Sequence, residues 1–202
     1  DTHRYPPQTG GVETHVSQLA ERLADRGHEV AVIAADADGD GSRCEQRHGV
    51  DVRRVWSFAP DGAGHFAPGV ATTLARLDPN LVHAHNYHSF PLAISALSLA
   101  VQRVSAPLVA TPHYHGTSDN DLRDRLLSLY APLGRWALRR ASAVIAVSEW
   151  ERRQLGQDFG VEARVIPNGL DIDRFRTATP EPRERPYLLT VGRLVEYKGV
   201  QH

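Results

Sequence analysis

The feature that most constrains this chain is an alternation of short apolar runs with longer stretches whose apolar residues recur at helical spacing. Glu29–Ala35, Val50–Trp56, Leu81–His85, Leu108–Thr111 and Ala143–Val147 are the runs, rich in Val, Ile, Leu and Ala and too short for helices. Between them stand Pro68–Leu77, Ser89–Val104 and Asp121–Arg140, preceded by a helical stretch from Gly11 to about Arg26. In that first stretch Val12, Val16, Leu19, Ala20 and Leu23 fall on one stripe, and Gly27 supplies a C-terminal stop. Strands that read as continuous apolar runs are buried on both faces. The pattern predicts an α/β domain with a mostly parallel, Rossmann-like sheet flanked by helices on both sides. The first legible element is a helix, so an initial strand is expected upstream of Asp1.

Further along, Ser148-Glu-Trp-Glu151 has the spacing of a capping box at a helix start. A short strand at Arg164–Ile166 and a turn at Pro167-Asn168-Gly169 follow. The acidic, glycine-containing stretch from Asp36 to Gly41 reads as a solvated loop. Thr177–Pro186 is charged and carries three prolines, the composition of a linker. Tyr187–Val191 then restarts the strand pattern. The expected organisation is a first domain over residues 1–176, a linker over 177–186, and the truncated start of a second Rossmann-like domain over 187–202. With no methionine at the start and an end directly after a motif, both termini read as truncations.

Charge is balanced, 23 basic against 24 acidic residues for a net −1, which excludes nucleic-acid binding through a bulk positive field. One cysteine, Cys44, excludes an internal disulfide framework and suits a reducing compartment. No apolar run approaches bilayer-spanning length. A cytoplasmic location is therefore expected. Leu122–Arg140 interleaves arginines with leucines and Trp136, which fits peripheral contact with the inner face of a membrane. A buried helix with a solvated arginine face gives the same pattern.

Three features carry chemistry. Gly10-Gly11 stands where a loop meets a helix N-terminus, a place where small residues let an anion approach free N–H groups. A tight turn needs the same residues. Gly192-Arg193-Leu-Val-Glu-Tyr-Lys198-Gly199 follows a strand directly, and Lys198 is the one lysine in a chain that otherwise uses arginine. A guanidinium fork and a compact ammonium suit a diphosphate. Third, His83, His85 and His88 cluster at one strand end, and His113 and His115 follow the next. Ligands bind at the carboxyl ends of strands in open α/β sheets. His83 reads best as a hydrogen-bonded core histidine and His113 as a functional one.

At this point the residues resemble a known family. Gly10-Gly-Val-Glu-Thr-His-Val-Ser-Gln-Leu-Ala-Glu-Arg-Leu23, Arg26-Gly-His-Glu-Val30, Leu81-Val-His-Ala-His85 and Thr111-Pro-His113 are similar to segments of family 4 glycosyltransferases of the GT-B fold. Ala146-Val-Ser148, Val165-Ile-Pro-Asn-Gly-Leu-Asp171 with Arg174-Phe175, and Val191-Gly-Arg-Leu194 with Lys198-Gly199 extend the likeness over essentially the whole chain. The resemblance implies a retaining transferase that moves a sugar from a nucleotide diphosphate donor to a lipid, saccharide or small-metabolite acceptor, with no metal or other cofactor. It implies that Arg193 and Lys198 stabilise the leaving diphosphate, and that Gly10 and Gly11 present backbone N–H groups to the donor. His113 would contact the donor sugar or the acceptor, with Tyr5, Glu13 and Asn86 on the acceptor side. The family's donor domain carries a pair of glutamates downstream of this arginine–lysine motif. This chain stops before reaching them, so activity is expected of the intact parent and not of the fragment.

Two other classes fit parts of the sequence. His83, His85 and His88, with His113 and His115, would supply zinc ligands to a metal-dependent hydrolase, although Asn86 and Tyr87 stand where such a site usually has a carboxylate. A non-catalytic GT-B-like binding module, or a sugar-nucleotide epimerase of the same fold, shares the architecture.

Overall fold

The structure, a computed structural model, describes residues 1–36, 43–59, 64–102, 106–116, 121–179 and 185–191. Helix α1 (Gly11–Asp25) is followed by strands β1 (Val30–Asp36), β2 (Cys44–Arg47) and β3 (Val50–Trp56), then α2 (Gly69–Leu77) and β4 (Val82–His85). Helix α3 (Pro91–Gln102), β5 (Leu108–Thr111), α4 (Asp121–Arg140), β6 (Ala143–Ala146), α5 (Glu149–Phe159), β7 (Arg164–Val165) and the short α6 (Ile172–Arg176) complete the order.

Two sheet sections form, β2-β3-β1 and β4-β5-β6-β7, with every pairing parallel except β2 with β3. Asp1 and Thr2 join them. The Asp1 backbone nitrogen donates to the His83 carbonyl at 2.6 Å and the His85 amide donates to Asp1 O at 3.0 Å. On the other side Thr2 bridges Ala34 in parallel, through N–H bonds of 3.0 and 3.1 Å with Ile33 and Ala35. Asp1–Thr2 thus occupies a strand position between β1 and β4. The chain runs from there outward through β1 and β3, then returns to build β4–β7 on the opposite side. That reversal is the topological switch point of a doubly wound sheet, where ligands bind.

The faces of β1 show why it reads as an uninterrupted apolar run. Val32 and Ala34 pack with Val16 and Ala20 of α1, and with Val50, Val52 and Tyr5. Ile33 and Ala35 point to the other side, into the larger core with Val70, Leu74, Leu92, Ala96, Leu138, Leu155 and Phe159. A period of two distributes one strand between two cores. On α1 the expected stripe grades in depth: Val16 and Ala20 are buried, while Leu19 and Leu23 are half-buried.

The structure adds three particulars to the sequence reading. Cys44–Arg47 forms a strand, paired with β3 through the two-residue turn His48-Gly49, both at positive φ. Tyr187–Val191 takes no regular structure, and Leu188 is fully exposed. A strand is held by its neighbour, and those residues have none among the described elements. The third concerns α4, which is anchored as well as amphipathic: Tyr130, Ala137 and Leu138 are buried, and Arg135 and Arg139 both donate to the Phe159 carbonyl. Among the described residues no helix is long and apolar enough to cross a membrane.

Candidate active site

Three strand positions end side by side at the switch point, and each hands its chain to a piece of the site. The Asp1–Thr2 segment leads through Tyr5-Pro-Pro7 to Gly10 and α1. Arg54 of β3, its side chain buried, donates to the Pro6 carbonyl at 2.5 Å and pairs with Glu45 of β2 at 2.8 Å, which pins that loop to the sheet. Tyr5 is fully buried in the core beneath α1, with burial pushing its phenol up to about 12. In this conformation its ring is a packing element.

Gly10 and Gly11 differ in what surrounds them. Gly10 has extended backbone that any residue adopts, yet a Cβ there would lie 2.2 Å from a carboxylate oxygen of Glu13. Glu13 is buried at the third position of α1, where an acidic group complements the helix dipole. Its carboxylate lies 3.8 Å from His3 Nε2. Burial, then the neighbouring His65, lower His3 to about 3, so this contact joins a neutral ring to the carboxylate and is no ion pair at neutral pH. Around Gly11 a Cβ would meet nothing within 4 Å. The open end of the helix N-terminus is therefore at Gly11, and Gly10 is small because Glu13 leans on it.

Strands β4 and β5 end level, with His85 opposite Thr111. Asn86 and His113 follow, both with left-handed backbone (φ 71° and 49°). Such a conformation costs a non-glycine residue strain and persists where surroundings enforce it. At Asn86 the Oδ1 accepts from the His88 amide at 3.1 Å, and the Asn86 amide donates to the Thr111 carbonyl at 3.0 Å. At His113 the enforcement comes from Glu151. Its buried carboxylate accepts from the amides of Tyr114 and Val147, both at 2.6 Å. Burial raises the Glu151 carboxyl, and the two N–H donors oppose that shift. Ser148 caps α5 by accepting from the Glu151 amide at 3.1 Å, as its sequence predicts. The reciprocal half differs: Glu151 reaches one residue further back and across to the β5 loop, fastening His113 to α5.

The imidazoles sort into two groups. His83 and His85, two apart on β4, share the face toward α1, their ring centres 4.1 Å apart. His83 Nε2 bonds Thr111 Oγ1 at 2.8 Å, the satisfied role read for it from sequence. His85 Nδ1 stands 3.4 Å from His113 Nε2, and His15 of α1 closes a triangle with both. His88 goes elsewhere, because the left-handed turn at Asn86 redirects the chain. It stacks on His115 at 4.1 Å and on Tyr114 at 5.6 Å. The five histidines that a metal-dependent hydrolase would have drawn on do not form a single set. Burial is the largest cause lowering all of them that shift: His83 and His88 to about 3, His113 to about 4, His85 well below 6.5, and His15 downward.

His15 and Glu151 were missed as site residues. His15 stands four residues after Gly11, on the same helix face, and that spacing was the available signal. Nothing in the sequence marks Glu151 as more than a cap. Arg193 and Lys198 lie outside the described residues.

A doubly wound sheet, with a glycine-opened helix N-terminus and strand-end histidines at its switch point, is the architecture of one domain of the GT-B fold. Residues 9–174 match the model for Glycosyltransferase Family 4, and the chain belongs to that family. It is 33% identical to a phosphatidyl-myo-inositol mannosyltransferase of Mycolicibacterium smegmatis, over 93% of this chain and 48% of that protein. It is 30% identical to a glycogen synthase of Mycobacterium tuberculosis, over 97% of this chain and 54% of the relative. The chain thus spans about half the length of the curated relatives it matches. Among solved structures, Anabaena HepE in complex with UDP shares the fold with a TM-score of 0.60 at 22% identity, covering 85% of this chain and 44% of that one. These relatives lend no support to a metal-dependent hydrolase.

Proposed function

We infer that the intact protein is a retaining glycosyltransferase using a nucleotide diphosphate sugar. One observation carries this reading: the open helix N-terminus at Gly11 and the rigidly held His113 belong to neighbouring strand ends at the switch point of a family 4 domain. In the proposed reaction the bond from the anomeric carbon to the diphosphate breaks and a bond to the acceptor hydroxyl oxygen forms on the same face. The hydroxyl proton passes to the departing phosphate. Negative charge grows on the diphosphate as that bond lengthens, and N–H groups at Gly11 with the cations of Arg193 and Lys198 would meet it without reorganising. Neutral His113 would donate or accept one hydrogen bond to the sugar. Asn86 and Glu13 remain the acceptor-side residues. No metal is needed for this chemistry, because protein dipoles and cations replace it.

The acceptor is read from the relatives and from α4. Leu129, Leu133 and Trp136 are 80%, 40% and 38% exposed, one apolar stripe at helical spacing with Arg140 over the Trp136 ring. That stripe, and the phosphatidyl-inositol substrate in the mannosyltransferase's name, favour an acceptor held at a membrane surface. Sedimentation with anionic phospholipid vesicles, lost on Leu129→Glu, is the expected result, and a protein that stays in the supernatant contradicts it. The transfer itself is tested by offering UDP- and GDP-sugars to the intact protein. Lys198→Ala should lower turnover by about 10²-fold or more. Undiminished turnover would remove the leaving-group assignment.

A further inference from the structure

Three imidazoles in the cleft come from three different elements. His15 stands on α1, His85 ends β4, and His113 follows β5. Their ring centres form a nearly equilateral triangle with sides of 5.6, 5.4 and 5.7 Å. One ring nitrogen from each falls within 4.8 Å of the other two.

An ordinary hydrogen-bonded trio explains this poorly. The 3.4 Å between His85 Nδ1 and His113 Nε2 is long for a hydrogen bond, whose N···acceptor distance is about 2.7–3.2 Å. For ligands of one tetrahedral ion it is the natural spacing: metal–nitrogen bonds of about 2.0–2.1 Å place two nitrogens about 3.3–3.4 Å apart. His15, half-buried on a helix, is the ligand with freedom to close the remaining distance. Burial keeps the three rings neutral at neutral pH, the form that binds a metal. The sheet on one side and α1 on the other shape the site before any ion arrives.

We propose that His15, His85 and His113 form a binding site for a divalent transition ion of the zinc type, with three imidazole ligands and a fourth position open to the cleft. Occupation takes the His113 nitrogen that would otherwise reach the sugar. The ion therefore acts as an inhibitor at this site, and that second half rests on the sugar-contacting role given to His113 above.

The 202-residue chain, titrated with Zn²⁺ against a chromophoric chelator, should take up one equivalent. Co²⁺ in its place should give the intense visible absorption of a tetrahedral nitrogen site. His15→Ala and His113→Ala, checked for folding by circular dichroism, should each weaken Zn²⁺ at least about 100-fold, the upper end of what losing a mere ligand-supporting partner costs. His88→Ala should leave the affinity where it was. No uptake, or uptake that survives His15→Ala, overturns the site. In the intact transferase, the ratio of turnover with Zn²⁺ to turnover with chelator should be well below one, and should return toward one in His15→Ala. A ratio of one in a protein that binds zinc overturns the inhibitory role. An intact protein with no transfer activity defeats the transferase reading and leaves the binding result standing.

Discussion

Two histidine groups spring from the same pair of strand ends and use their rings in opposite ways. The His85 and His113 planes are near parallel, 22° apart, but their centres are 5.7 Å apart and a nitrogen of each comes within 3.4 Å of the other, while His15 meets both rings edge-on at 65° and 76°. His88 instead lays its face on His115 and Tyr114, at interplanar angles of 20° and 10°. Beneath it Tyr87, Tyr114, Tyr130 and Phe159 form an aromatic floor with ring centres 4.7–5.3 Å apart. The first arrangement presents polar edges to a ligand, and the second spends them on packing. Residue type is shared, so composition cannot tell the groups apart. Backbone direction at Asn86 and His113 does.

Acid should erase the difference, and with the largest effect. His83, His88 and His113 have folded values of about 3, 3 and 4, and His85 lies well below 6.5, each depressed chiefly by burial. The unfolded chain takes up these protons near pH 6.5 and the folded chain does not. Their contribution is therefore complete above pH 6.5 and is lost as pH falls toward 4, at about 1.4 kcal/mol per pH unit for each ring. Urea midpoints measured from pH 7 to 5 should fall steeply. His88→Gln and His113→Gln should each remove about one proton from that slope, and a flat profile would mean the rings are not buried as neutral groups.

Glu151 separates the groups more sharply. Glu151→Ala leaves two part-buried amides without their acceptor, for an expected loss of about 1–3 kcal/mol and a lower melting temperature. Glu151→Gln, which keeps an acceptor oxygen, should lose less. If alanine costs nothing, the fastening of the His113 loop to α5 is wrong. Gly134→Ala tests the other region. A Cβ there would lie 2.5 Å from the Tyr87 ring and 2.9 Å from Tyr130, so overpacking should cost about 1–3 kcal/mol in thermal unfolding. Zinc uptake should be unaffected, since that floor lies under the stacked rings and not under the convergent ones.

Much of the frame was legible because burial writes itself into sequence. Val50–Trp56, Leu108–Thr111 and Asp121–Arg140 occur with the bounds expected, and β1 betrays its two-sided burial by having no polar alternation. Cys44–Arg47 escaped because an edge strand with exposed and half-exposed residues carries no apolar pattern, and His48-Gly49 was its one signal. Tyr187–Val191 shows the converse, an apolar run without the neighbour that would make it a strand. In the site, the glycines and His113 could be singled out because the signals that mark them are local. Glu151 was not, because its task is to connect Val147 with Tyr114, residues brought together only by the fold. Tyr5 was read as a contact residue, and its place in the core follows from the return of its loop under α1, which no local pattern encodes.

The central claim is that His113, and not its stacked neighbours, does chemical work at the cleft. It is tested most directly by steady-state transfer with the intact protein, paired with calorimetric binding of the donor nucleotide. His113→Ala should lower kcat/KM by about 10²-fold or more while nucleotide affinity stays near that of the wild type, and exposed His115→Ala should change transfer little. Full activity in His113→Ala, or a loss explained wholly by weaker nucleotide binding, would contradict the account.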